Sequence, residues 1–310
     1  MRDTLSQLLV DTARSDDRFL VLSGDHGYAL FDALRSERPQ QFVNVGVAEQ
    51  NMIGVASGLA KVGFRPCVYG LAAFVPIRVL EQIKLDLCHT NAPVIMLGDG
   101  AGLVYSTLGV SHQCGEDIAC LRPLPNISIY SPCDEYELTA CWQEARQANG
   151  PCYIRIGKAD RPCVHNKTLP NTDPAFTNVS YGKQSDRLII ASGSMASVAT
   201  HFARHNDLPC VTVPRIQPMP QKLIALCYEF RHIAVIEEHV RAGGLYSALL
   251  ESLFSSSAEH AVDRSLVHIG LAPAFTRHAG SYEHALGEHG LDDAAVYEQL
   301  KKWLTQTDDR

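Results

Sequence analysis

Short apolar runs bounded by turn residues punctuate the first half of the chain: Phe19-Leu-Val-Leu-Ser-Gly24, Phe42-Val-Asn-Val45, Pro93-Val-Ile-Met-Leu97, Ile127-Ser-Ile-Tyr130 and Cys152-Tyr-Ile-Arg-Ile156. Runs of this length between turn signals predict buried strands. Between them apolar residues recur at helical spacing, predicting helices over about 49–63, 75–90, 112–121 and 134–147. Ahead of the first strand, Thr4-Leu-Ser-Gln-Leu-Leu-Val-Asp-Thr-Ala13 reads as an amphipathic helix. Such alternation predicts an α/β fold with a mainly parallel sheet flanked by helices on both faces. Ligands on sheets of this kind sit at the carboxyl ends of the strands, where Gly24-Asp25 and Glu49 both fall.

The pattern lapses over residues 159–183, where Pro162, Pro170 and Pro174 stand among scattered polar residues with neither a helix nor a strand period. It resumes with Arg187-Leu-Ile-Ile-Ala-Ser192, Pro209-Cys-Val-Thr-Val213, Ile233-Ala-Val-Ile236 and Leu266-Val-His-Ile269, again separated by helical stretches. A chain of 310 residues can build two cores of ordinary size. The expected organisation is one α/β domain over 1–160, a linker over 161–183 and a second α/β domain over 184–310.

Composition narrows the function classes. Hydrophobic content of 46% with 20% charged residues is that of a soluble globular protein. The formal net charge of -7 argues against a nucleic-acid-binding surface. No run of about 18 apolar residues marks a membrane span, and the start of the chain carries no signal-like segment. Ten cysteines are spread from Cys67 to Cys227 with no CxxC pair, and several lie in apolar runs as buried thiols do. A disulfide framework is not expected, and the reading is cytoplasmic. His112-x-Cys114 with Cys120 fits no common metal pattern, so no metal site is expected.

The chemistry concentrates in Phe42-Val-Asn-Val-Gly-Val-Ala-Glu-Gln-Asn-Met52, a strand running into a helix with one carboxylate, Glu49, at the junction. Val45 and Val47 precede it, and Met52, Ile53, Val55 and Ala56 follow. A carboxylate in an apolar setting is costly unless a partner satisfies it. Position alone leaves two readings open: a buried group that hydrogen-bonds a ligand heteroatom, or a helix-start glutamate set against the helix dipole.

Val-Gly-Val-Ala-Glu-Gln-Asn-Met, followed by Gly54, Gly58 and Leu59-Ala60, closely resembles the pyrimidine-binding domain of the transketolase family of thiamine diphosphate enzymes. In that family the matching glutamate hydrogen-bonds a pyrimidine ring nitrogen of the cofactor and favours its imino tautomer, so Glu49 is the implied catalytic and cofactor-binding residue. Phe74, in Tyr69-Gly-Leu-Ala-Ala-Phe-Val-Pro-Ile-Arg78 between a strand and a long helix, falls where the family stacks an aromatic ring on the pyrimidine. Arg78 resembles an arginine that reaches the substrate phosphate in the deoxyxylulose-phosphate synthase branch; the alternative is a solvated or ion-paired side chain. Asp25 matches a family aspartate near the cofactor, or is a plain turn residue. Leu108-Gly-Val-Ser-His-Gln113 resembles the family's Gly-Pro-Thr-His-Gln, whose histidine faces the substrate hydroxyls, which points to His112 as a catalytic and substrate-binding residue. Lys158 falls where the family commonly has a phosphate-binding arginine, whereas Arg155 would face the other side of its strand and be structural.

There are departures. Leu108 replaces the aspartate that reads the donor hydroxyl, Asp99 or Gly100 replaces an expected histidine, and no phosphate-contacting serine follows Asp25-His-Gly-Tyr28. Gly98-Asp-Gly100 with Asn126 mimics the diphosphate and magnesium motif, but the same stretch already matches the pyrimidine domain. The resemblance covers only the pyrimidine-binding and C-terminal domains. It therefore implies the C-terminal subunit of a split transketolase, with the diphosphate and its Mg (or Ca) held by a separate N-terminal subunit in an α2β2 heterotetramer, acting on a small sugar. A 2-oxo acid dehydrogenase beta subunit has the same domain order and a similar Ala-Glu-Gln, and a non-catalytic interaction subunit is the third reading.

Overall fold

The computed structural model describes residues 1–157, 161–166, 174–182, 185–254 and 264–305. Helix α1 (Arg2–Ser15) turns Leu5, Leu9, Val10 and Ala13 inward and leads into β1 (Phe19–Ser23), all of whose residues are buried. Helix α2 (Asp32–Glu37), β2 (Phe42–Asn44), α3 (Glu49–Lys61) and β3 (Arg65–Leu71) follow. The helix expected over 75–90 is broken into three pieces. A 3-10 turn at Ile77–Val79, a single turn α4 (Leu80–Gln82) and a π-helical turn at Ile83–Cys88 run on without a gap. Then come β4 (Ile95–Asp99), α5 (Asp117–Leu121), β5 (Ser128–Tyr130), α6 (Glu135–Gln147) and β6 (Cys152–Ile156).

The helix expected over 112–121 is confined to α5. Gly109 takes φ 79°, which breaks the segment into 3-10 turns at Ser106–Leu108 and Val110–His112. A strand, β7 (Thr177–Ser180), falls within the stretch expected as a linker. Its Thr-Asn-Val-Ser sequence has only one apolar residue, because it is an edge strand whose pairing comes from backbone alone.

The second half continues with β8 (Arg187–Ala191), α7 (Ala196–His205), β9 (Cys210–Thr212), β10 (Arg215–Gln217), α8 (Gln221–Cys227) and β11 (His232–Val240). Helix α9 (Leu245–Phe254), β12 (Ser265–Leu271), α10 (Tyr282–Glu288) and α11 (Asp293–Thr305) complete it. Two sheets result, with orders β10-β5-β6-β4-β3-β1-β2 and β12-β11-β8-β9-β7. All pairs are parallel except β10 with β5 and β7 with β9. β10 follows the second sheet's β9 in the chain yet pairs with β5 of the first sheet, Arg215 opposite Tyr130.

The two halves share one apolar core. Met52, Ile53, Val68, Leu87 and Met96 belong to the same buried cluster as Ile190, Val211, Val235 and Leu249. A polar seam runs beside it. Arg155 is buried, its Nε 3.0 and 2.9 Å from the two Asp117 carboxylate oxygens, and it donates to the carbonyls of Cys114 and Glu238. Glu238 in turn accepts from the Leu103 amide (2.7 Å), the Tyr282 hydroxyl (2.6 Å) and the Ser194 hydroxyl. Gly102 passes so close that a Cβ would lie 2.2 Å from Glu238 Oε1, and its φ of 77° also calls for glycine.

Candidate active site

Side chains from the carboxyl ends of β1 and β3, the start of α3 and the 108–113 turn converge on one wall. Gly46, at φ 75°, turns the chain after β2 so that α3 begins at Glu49. Helix geometry then sends Met52, Ile53 and Ala56 into the core, and Glu49 is buried with them at 3% exposure. Its two oxygens have different surroundings. Oε2 accepts from Arg78 Nη1 at 3.1 Å. Oε1 is buried, has no hydrogen-bond partner, and lies 3.8 Å from His26 Nε2, which is also buried and unpartnered. Gly24 lies against this carboxylate: a Cβ there would meet Glu49 Cγ at 3.6 Å, an ordinary contact.

Phe74 lines the same wall. Its ring centroid is 5.8 Å from that of His26 and 5.3 Å from that of His112, the latter edge-on at 67°. The Arg78 guanidinium carbon sits 4.0 Å from the Phe74 centroid, a cation–π contact, while the side chain remains 45% exposed. Glu49, Phe74, Arg78 and His112, separated by up to 63 positions in the chain (112 - 49 = 63), are thus brought together. His26 joins them and was missed by sequence reasoning; its only signal was its place in the turn directly after Gly24-Asp25.

Asp25 lies in that turn with φ 66°, and its carboxylate accepts from Asn44 Nδ2 at 2.9 Å. Leu108 is exposed on the turn before Gly109. His112 Nδ1 is 2.9 Å from the Ser111 hydroxyl. The next residue, Gln113, accepts from the Thr276 hydroxyl at 2.9 Å and so ties the histidine turn to the second half of the chain. With that proton committed, Thr276 takes its 3.1 Å bond from His289 Nε2, and burial lowers the His289 pKa from its usual value. Lys158 lies outside the described residues.

The diphosphate-like Gly98-Asp-Gly100 is accounted for otherwise. Asp99 accepts from the Tyr69 hydroxyl at 2.9 Å and the Tyr105 hydroxyl at 2.8 Å, which commits its carboxylate within the protein. Arg155 is the structural residue expected, buried against Asp117. The wall suits a flat heteroaromatic with a ring nitrogen: it offers an aromatic face, a buried oxygen without a partner and a histidine on either side.

Comparison with known proteins bears on the same region. Residues 1–162 match the transketolase pyrimidine-binding domain. A putative transketolase C-terminal section from Methanocaldococcus jannaschii is 28% identical over 97% of this chain and 96% of its own length. An apulose-4-phosphate transketolase subunit from Phocaeicola vulgatus is 30% identical over 95% of this chain and 94% of its own. Among solved structures, a split-gene transketolase described as an inactive beta4 tetramer superimposes with a TM-score of 0.84 at 28% identity, covering 98% of this chain and 97% of that one. With residues 1–162, more than half of the chain, matching the pyrimidine-binding domain, this chain belongs to the transketolase family.

Proposed function

We propose that the chain is the C-terminal, pyrimidine-binding subunit of a two-subunit, thiamine diphosphate-dependent transketolase that moves a two-carbon ketol unit from a ketose, phosphorylated or not, to an aldehyde. One observation carries this: Glu49 Oε1 is buried, has no hydrogen-bond partner, and lies 3.8 Å from Nε2 of His26, whose ring neighbours that of Phe74. A buried acceptor of this kind costs about 1–3 kcal/mol unless a ligand satisfies it. When bound, thiamine diphosphate supplies the thiazolium carbon at which the two-carbon unit is carried. Glu49 holds the hydrogen bond to the pyrimidine, Phe74 gives it a face to stack on, and Asp25 bounds the loop on that side. His26 and His112 flank the Phe74 ring, where they can hydrogen-bond substrate hydroxyls. Arg78, half exposed, and Lys158 supply positive charge for an anionic substrate terminus.

The residues that hold the diphosphate and its Mg (or Ca) come from an N-terminal partner subunit, because the one resembling motif in this chain has its aspartate bonded to two phenols. The outer face of α3 supports pairing with a second copy: Gly54 and Gly58 have open space beyond them, and Val47, Val55 and Val62 are exposed nearby. This favours an α2β2 heterotetramer with the present chain at its centre. No helix among the described residues is long and apolar enough to cross a membrane. All ten cysteines are free, which favours a reducing compartment such as the cytoplasm.

Mixing the purified chain with its diphosphate-binding partner and thiamine diphosphate, then screening ketose donors, tests the reading. Activity is expected only in the mixture. Ketol transfer by the single chain would overturn the two-subunit assignment.

A further inference from the structure

A second cluster of chemically able side chains lies well away in sequence from the Glu49 wall, and the function above uses none of it. Cys133 follows β5 and precedes α6, Glu137 sits in the first turn of α6, and His165 comes from the segment after β6. All three are buried, Glu137 completely. Asp134, the N-cap of α6, accepts from the amides of Tyr136 and Glu137 through one oxygen. Its other oxygen accepts from the amides of Val164 and His165 and from His165 Nδ1 at 2.8 Å.

That last bond orients the ring. In the neutral ring, Nδ1 donating to a carboxylate leaves the lone pair on Nε2, the arrangement by which carboxylates set histidines for metal binding. Nε2 lies 3.8 Å from Glu137 Oε1, too far for a hydrogen bond. Glu137 Oε2 accepts from the Cys133 amide at 2.8 Å, while Oε1 is buried and without a hydrogen-bond partner. The Cys133 sulfur is 3.9 Å from His165 Nδ1, and the Thr212 hydroxyl stands 3.5 Å from Nε2. One ligand atom from each of Cys133, Glu137 and His165 can be chosen so that all lie within 4.8 Å of one another. Ligands on a tetrahedral zinc with bonds of about 2.0–2.3 Å stand about 3.3–3.8 Å apart, so the set closes on the ion by drawing in its widest separation by about 1 Å.

We propose that Cys133, Glu137 and His165 form a structural zinc site, with the fourth position left to water or the Thr212 hydroxyl. A thiolate, an imidazole and a carboxylate together suit zinc, whereas calcium or magnesium would take oxygen ligands. Binding forms a sulfur–zinc bond and releases the Cys133 thiol proton to solvent; no redox step is involved. The ion would join the β5–α6 connection to the segment carrying His165, and reach Thr212 on β9 of the second sheet. It would therefore fasten the two halves together at a point remote in sequence from the Glu49 wall. The exposed set His278, His284 and Glu288 is the competing location for a divalent ion.

The full-length chain, stripped with chelator and dialysed against zinc, should retain one equivalent by elemental analysis and gain thermal stability. Cobalt(II) in its place should give the thiolate-to-cobalt absorption of a cysteine-bound ion. Cys133→Ser and the isosteric Glu137→Gln should each lower zinc affinity at least tenfold, while Cys163→Ser and His284→Ala keep it. Should Cys133→Ser fail to fold, Glu137→Gln and the cobalt spectrum still decide. Absence of bound zinc, a cobalt spectrum without the thiolate band, or loss of zinc only in His284→Ala would overturn the site and leave His165 as a histidine hydrogen-bonded to Asp134 with Glu137 nearby.

Discussion

Glu49 faces opposed demands, burial among apolar side chains and retention of a polar oxygen with nothing to bond. Replacing it by glutamine keeps shape and volume but exchanges the carboxyl for an amide. Glu49→Gln should therefore leave assembly intact and reduce ketol transfer by the reconstituted enzyme to less than a tenth, a barrier increase of at least about 1.4 kcal/mol. Steady-state kinetics retaining more than that would remove Glu49 from its role. Leu108 carries a riskier expectation. It cannot accept a hydrogen bond from a donor hydroxyl, and a site lacking such a bond discriminates far less than the roughly 10⁴ available to one that makes it. Leu108→Asp should sharpen selectivity among ketose donors differing at that hydroxyl, measured as kcat/KM ratios; an unchanged ratio would show that Leu108 does not face the donor. At this scale much was legible, because Glu49, Phe74 and His112 each stand in a run of neighbours that points to one chemistry. His26 was not, since a histidine in a turn announces nothing until Phe74 is beside it. Neither was the contact of Arg78 with Glu49, which depends on how β3 and α3 are juxtaposed.

Among the elements, α9 shows how a buried charge sets where a helix starts. Glu237, at the centre of β11 and 1% exposed, accepts from the amides of Leu245 at 2.7 Å and Tyr246 at 2.9 Å. Burial pushes its pKa up, but His268, His239 and the Tyr246 amide outweigh it and hold the group below the ordinary 4.5. A depressed carboxylate stabilises the fold above its unfolded value and loses that contribution as pH falls through the folded value. Stability measured by urea unfolding should therefore decline as pH falls below about 4.5, and less steeply in Glu237→Gln. At neutral pH that variant should already be weaker by about 1.5–3 kcal/mol, the range for charge-assisted hydrogen bonds. Equal pH slopes would detach Glu237 from the acid response. Elements with strong apolar runs, such as β1, β4 and β6, were readable from sequence alone. The irregular helix at Ile77–Cys88 was not, because a π-helical turn keeps apolar spacing close to that of an ordinary helix. β7 escaped for the opposite reason, being paired by backbone with little to bury.

For the whole molecule, the α3 face and the proposed division of the cofactor site between two subunits lead to the same expectation. The chain alone should self-associate and stay inactive, as the related split-gene beta4 tetramer is described to be. With its partner, light scattering should report two copies of each subunit, and a mass equal to one of each would contradict the central pairing. The two-sheet α/β architecture was legible because alternation persists in both halves. Their fusion was not, since neither the Arg155–Asp117–Glu238 seam nor the common core leaves a local pattern.

β10 has a consequence for where this polypeptide tolerates a cut. Because Arg215–Gln217 is hydrogen-bonded to β5, a nick anywhere in the proline-bearing stretch before β8 would not yield two self-sufficient pieces. The upstream piece would carry a bare edge at β5, its amides and carbonyls open to pairing with any other chain. The downstream piece would trail a strand with no sheet to join. Expressed apart, the fragments should precipitate; expressed together, they should find one another and recover the intact fold.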